Sequence, residues 1–268
     1  MNKHGKKPED RALEPIGLGT FFPGSTPIDV SGRTWRFGLA MTESGQQAVF
    51  ACACEWRELF VQAVVSSIGR ALGLPIPPCF ILLATRETFP ERTQDGPFFI
   101  FACQSGAHPT MAAFARRMSE AVDLLINVKR ETTNRLIVLD EWAHNGRRDS
   151  TAVLFDTTSG LQLIDHHPSL EDTGDPAGQL RNWVFEIANA QMTDLDALRL
   201  RKEMESSAGK VFGIDLGILA DQACGLGKPD QVDAWLKMLD FMAARRHHLE
   251  DLFCQRLGIP EQRLSLAS

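Results

Sequence analysis

Asn145-Gly146-Arg147-Arg148 follows an apolar segment and sets two guanidinium groups side by side. A guanidinium can grip phosphate oxygens through two parallel hydrogen bonds, so the pair suits an anionic ligand. The plainer role for both arginines is solvation or an ion pair with Asp149. Asp165-His166-His167 closes the strand-like run Leu161–Ile164 and brings a carboxylate and two imidazoles to the end of a hairpin. Neither that histidine pair nor His247-His248 has the four-residue spacing that aims two rings at one metal from a helix. Cys52-x-Cys54 would put two thiols on one face of a strand, but a zinc site takes about four ligands and no second cysteine pair accompanies them. Gly17-Leu18-Gly19-Thr20 is a fragment of a phosphate loop without its third glycine, and fits ordinary coil. Without a Gly-x-Ser-x-Gly elbow, a serine hydrolase has no support.

These residues need elements to hold them. Thr34–Phe37 and Gln47–Cys52 are short, β-favouring runs separated by Glu43-Ser44-Gly45, which predicts a hairpin. Over Glu55–Leu72 the period changes: Trp56, Leu59, Ala63, Ile68 and Leu72 recur at helical spacing, and Gly73 with Pro75 supplies the stop. Cys79–Ala84 and Phe98–Cys103 are apolar runs of strand length around a polar turn at Thr93–Gly96. The order to that point is β-β-α-β-β. Helical spacing dominates afterwards, over Met111–Val128, Leu136–Trp142, Gly178–Ala190, Leu195–Phe212, Leu216–Cys224 and Gln231–Leu257. One hairpin interrupts it, Ala152–Phe155 with Leu161–Ile164 around Asp156-Thr157-Thr158-Ser159-Gly160. Trp142 and Trp183 are expected as core anchors. The organisation expected is a tail over residues 1–14, a β-rich part over 15–104 and a helical part over 105–268.

The composition is that of an ordinary globular chain: 268 residues, 44% apolar and 23% charged, enough to bury a large core and to exclude disorder or a coiled coil. With 28 basic and 34 acidic residues the net charge is -6, so nothing suggests nucleic acid or an anionic membrane held by bulk charge. The longest apolar runs, such as Pro97–Cys103, fall short of the roughly 20 residues needed to span a bilayer. The first residues are polar and basic, and most of the six cysteines sit in apolar runs, so reduced thiols and a cytoplasmic setting are expected.

Three stretches resemble the HipA-like kinase family, in its short form without an extra amino-terminal domain. They are Ser67-Ile68-Gly69-Arg70-Ala71-Leu72-Gly73-Leu74-Pro75-Ile76-Pro77; Asp140-Glu141-Trp142-Ala143-His144-Asn145 with Leu163-Ile164-Asp165-His166; and the closing segment Trp235–Phe253 with Arg245-Arg246. The resemblance implies an α+β, two-lobed protein-kinase-like fold with a small β-rich N-lobe and a mainly helical C-lobe. It implies ATP as cofactor, Asp165 as the metal ligand, and adenine contacts at Ala102, Cys103 and Gln104, with Asn145, Arg147 and Arg148 beside the phosphates. Family members are often toxins paired with an antitoxin, or free-standing kinases acting on serine or threonine.

Phosphoryl transfer needs a lysine on the triphosphate, a glutamate holding it, an aspartate orienting the hydroxyl, and Asp plus Asn on magnesium. No lysine lies between Lys7 and Lys129, and Ala51 stands nearest its place. Gln62 falls where the helix glutamate is due, with Glu58 one turn away as substitute. Arg147 occupies the aspartate position, and Ala152 the amide position five residues on; sliding the register to Asp149 puts Leu154 there instead. Mg2+ therefore lacks most of its ligands. The expectation is a pseudokinase with no catalytic residue, acting as a binding or regulatory module on a protein partner. The alternative is a divergent ATP-dependent kinase or nucleotide-transferring enzyme that uses Asp165.

Overall fold

In the computed structural model, which describes residues 13–30, 33–93, 96–105, 130–148, 153–156, 160–190 and 192–258, the first half of the chain is one sheet with one helix packed on its outer face. Its strands are β1 (Gly17–Phe21), β2 (Thr26–Val30), β3 (Arg33–Thr42), β4 (Gly45–Cys52), β5 (Cys79–Ala84) and β6 (Phe98–Gln104). They lie in the order β1-β5-β6-β4-β3-β2, and β1 also pairs with β3, which closes the sheet on itself. The expected β3–β4 hairpin is present in the register Trp35↔Cys52, and Gly45 supplies its left-handed turn residue at φ +96°. β1 and β2 are strands that periodicity does not predict. Gly17-Leu18-Gly19-Thr20 is not coil: it pairs parallel to β5 on one side and antiparallel to β3 on the other. A Cβ on Gly19 would lie 2.2 Å from the Met41 carbonyl oxygen, so glycine serves strand closure here and not a phosphate.

Helix α1 (Trp56–Ala71) begins with a capping box between Glu55 and Glu58 and ends before Gly73, at φ +79°. Every residue from Leu59 to Gly69 is buried, because the sheet covers one side of the helix and the carboxyl-terminal helices cover the other. Gly69 lets the following turn close onto the helix, since a Cβ there would meet the Ile76 side chain at 2.3 Å.

The second half contains α2 (Arg130–Trp142), the hairpin β7 (Val153–Asp156) and β8 (Gly160–Leu163), and then α3 (Trp183–Ala190), α4 (Asp194–Gly213), α5 (Gly217–Leu226), α6 (Pro229–Arg245) and α7 (Leu249–Arg256). The fold is thus α+β, a β-rich part followed by a mostly helical one. Three helical readings differ from expectation, the first being α2, which begins at Arg130, six residues before Leu136. Residues 178–182 are outside any helix or strand, so α3 starts at Trp183. The closing segment is two helices, broken by a 3-10 turn at Arg246–His248. The helix expected over Met111–Val128, and the expected tail up to residue 12, lie outside the described residues. No helix among the described residues is long and apolar enough to cross a membrane.

One apolar core runs from the sheet through α1 into the helices. Trp235 of α6 stacks on Trp56 at 5.0 Å and on Phe60 at 4.4 Å between ring centroids, joining the two halves. A buried charge cluster ties the helical part together. Glu141 accepts from Arg245 (2.9 Å) and Arg256 (2.7 Å), and Arg245 also donates to the carbonyls of Glu141, Pro176 and Gly178. Trp142 is fully buried, with its indole N–H on the Met242 carbonyl, and Trp183 is partly buried against the same core. Glu141→Ala leaves two guanidinium groups without their carboxylate, and the expected loss is about 3–5 kcal/mol of unfolding free energy, measured by urea denaturation.

Candidate functional site

The site lies where α1, the start of β3, the end of β8 and the segment after α2 converge. Burying α1 on all sides forces its polar side chains to find partners inside the protein. Gln62, fully buried, finds two: its amide Nε2 donates to Asp165 Oδ1 at 2.7 Å, and its Oε1 accepts from the His166 backbone N–H at 2.7 Å. Glu58, one turn earlier, takes the Arg33 guanidinium, whose Nη2 lies 2.7 Å from both carboxylate oxygens. Arg33 comes from the first position of β3 and stands close enough to Asp165 for their charges to interact.

Asp165 is the centre of this arrangement. Its side chain is 2% exposed, its backbone has φ +55°, and Oδ1 also takes His167 Nδ1 at 2.6 Å. Burial works to raise its pKa. The His167 hydrogen bond and charge, the Gln62 amide and the Arg33 guanidinium outweigh burial and hold the carboxyl below the ordinary aspartate range. Strain concentrates at the same place. Non-glycine residues with positive φ among the described residues are His144 (49°), Asp165 (55°) and Leu170 (57°), and the Leu170 N–H is bonded to the Ala143 carbonyl at 2.9 Å. Left-handed non-glycine backbone costs on the order of 1–3 kcal/mol per residue and gathers at functional sites.

The two arginines separate. Arg147 is exposed and paired with Glu171. Arg148 is buried: its Nε lies 2.7 and 2.8 Å from the two Asp140 oxygens, and its Nη2 is 3.0 Å from His166 Nδ1. The expected solvation or pairing with Asp149 is replaced for Arg148 by Asp140, because α2 ends with that carboxylate buried and in need of a cation. Asn145 accepts the Arg147 N–H on its side-chain oxygen and leaves its buried Nδ2 without a hydrogen-bond partner. His166 is buried beside Arg148, and burial together with that positive charge holds it well below the usual histidine range, hence neutral.

Ala102 and Cys103 sit inside the sheet, flanked by β5 on one side and β4 on the other, with Ala102 opposite both Phe80 and Ala51. Gln104 ends the strand and is half-buried, its amide on Gln47 at 2.9 Å. Ala51 faces the second, smaller core on the sheet side away from α1, so a basic residue there would point away from Glu58 and Asp165. The charge comes instead from Arg33. Asp149 and Ala152 lie outside the described residues.

No group of three or more His, Cys, Asp or Glu among the described residues could hold a metal ion. Asp165 Oδ1 is already occupied by the Gln62 amide and His167 Nδ1. Sequence pattern alone does not reveal Arg33 or the Asp165–His167 contact. The first had one faint signal: with no lysine between Lys7 and Lys129, an arginine is the remaining strong cation for a helix carboxylate.

No family model matches the chain, and no curated protein matches it. Among solved structures, the chain is similar to the Helicobacter pylori proinflammatory kinase CtkA at 13% identity, over 91% of this chain and 98% of that one, with a TM-score of 0.49.

Because the folded pKa of Asp165 is lowered, its ionised form stabilises the fold fully above the unfolded aspartate value of about 3.9, and that contribution disappears as pH falls through the folded value. Asp165→Asn is expected to cost stability at pH 7 and at pH 5 alike, and the gap to the unmodified protein should shrink only below pH 4. Paired denaturation curves across that range measure it.

Proposed function

We propose that this protein is a two-lobed, HipA-like kinase-fold pseudokinase: a binding or regulatory module whose crevice accepts an anionic ligand of the nucleotide class without transferring phosphate. The observation that carries this reading is the mutual neutralisation of the charges that phosphoryl transfer would need. Asp165 is tied to Gln62 and His167, Glu58 to Arg33, and Asp140 to Arg148. Each carboxylate among them already has a hydrogen-bond donor on at least one oxygen. A guanidinium in place of a carboxylate also repels a divalent cation. Arg33 keeps a buried Nη1 without a hydrogen-bond acceptor, close to Asp165, and that is the donor an anionic ligand would meet. A protein partner is part of the proposal. An apolar groove of about 320 Å3 between α4 and α7, with Phe212 and Phe253 in its walls, supports an interaction surface away from the crevice.

A second reading is favoured by Arg33 itself. It pairs with a helix carboxylate beside Asp165, which is the arrangement a lysine would make in an active phosphoryl- or nucleotide-transferring enzyme. Calorimetric titration with ATP separates the two. The pseudokinase reading expects binding that magnesium does not strengthen, and that Arg33→Gln weakens about ten- to a hundredfold, the worth of a charged hydrogen bond. It also expects no labelled phosphate or AMP on the protein. Magnesium-dependent binding together with label incorporation that Asp165→Asn abolishes would establish the enzyme instead.

A further inference from the structure

The end of β4 holds a feature that the nucleotide reading does not use. Cys52 and Cys54 alternate onto the same face, and their sulfur atoms lie 3.2 Å apart, with both residues buried. A disulfide has its sulfurs about 2.05 Å apart, so each need move only about half an ångström. Cys54 is also among the residues lining a cavity of about 290 Å3, together with Trp56, Arg92, Phe99, Lys228 and Gln231, a cavity that Cys52 does not line. We propose that Cys52 and Cys54 form a reversible intramolecular disulfide, with a hydroperoxide as the oxidant.

The chemistry balances in two steps. The Cys54 sulfur attacks one peroxide oxygen, the O–O bond breaks, and the departing hydroxide leaves as water with the thiol proton, giving a sulfenic acid. The Cys52 sulfur then attacks the Cys54 sulfur, the S–O bond breaks, and a second water carries off the Cys52 proton. Two thiols lose two electrons, and hydrogen peroxide becomes two waters. The first attack falls to Cys54 because it, and not Cys52, lines the cavity; burial and the neighbouring Cys54 push the Cys52 thiol well above its ordinary range, so its proton leaves only as its sulfur bonds to Cys54. Cys54 directly precedes the capping box of α1, so the bridge tightens the entry to the helix that carries Glu58 and Gln62.

The molecule contains its own control. Cys79 and Cys103 face each other across β5 and β6, also buried, and neither lines the cavity that Cys54 meets. The test uses the full chain with Cys224→Ser, which removes the exposed thiol. The reduced protein is treated with hydrogen peroxide, denatured, alkylated and mapped by peptide mass. The expected peptide carries both Cys52 and Cys54, is unalkylated and two hydrogens lighter, returns to the alkylated form after dithiothreitol, and shows no bridge when Cys54→Ser is present. Trp35, opposite Cys52 in the sheet, and Trp56 should lose fluorescence in parallel with bridge formation, since a disulfide quenches nearby indoles. The proposal is overturned if both thiols stay alkylatable, if Cys54 advances to the sulfinic acid without a bridge, or if the bridge appears at Cys79–Cys103. Peptide mapping of the unsubstituted chain distinguishes the same outcomes should either variant fold poorly.

Discussion

The centre of the molecule depends on one neutral side chain, the amide of Gln62. Sealed inside α1, it must satisfy a donor and an acceptor at once, and it does so by clasping Asp165 with one end and the following backbone N–H with the other. A carboxylate at that position could not donate, and would stand against a second carboxylate in a region poor in water. The amide therefore fixes the orientation of the hairpin end relative to the helix, and through it which oxygen of Asp165 is occupied.

The remaining charges follow from that choice. With residue 62 neutral, the cation of this region is drawn one turn along the helix to Glu58, and it arrives from the beginning of β3 instead of the middle of β4. On the other side of Asp165, the segment after α2 carries a guanidinium inward, where Asp140 receives it. Each ion has a partner within hydrogen-bonding distance, as burial at low dielectric demands. The result is an electrostatically closed centre with strained backbone held at three neighbouring positions, an arrangement that keeps shape and limits reactivity together.

Local pattern reveals part of this. Cys79–Ala84 is a strand to the residue, and α1 lies within one residue of its expected ends, because apolar runs punctuated by glycine and proline carry their own period. β1 and β2 escape because Pro23, Gly24 and Pro27 read as loop, while the pairing that makes them strands comes from β3 and β5 far along the chain. The closing helix reads as continuous because Arg245, a buried residue at its break, looks like a solvated charge; its role is set by Glu141, more than a hundred positions earlier. The same limit applies to the site. Asp165, Gln62 and Glu58 are legible as positions, but who pairs with whom is decided by tertiary approach: Arg33 with Glu58, Arg148 with Asp140, His167 with Asp165. Spacing along a chain contains no information on such meetings.

The doubled pairing of β1 has a further consequence. By bonding to β3 and to β5 at once it removes the free margin an open sheet would offer, so that within the six-stranded sheet β2 is the strand left with one neighbour. A ring of this kind gives a visiting peptide little backbone to zip onto, and it resists the stacking of copies through their rims. Around the closed part of the sheet, contact with another molecule falls to side chains, and β2 is the edge left for backbone pairing.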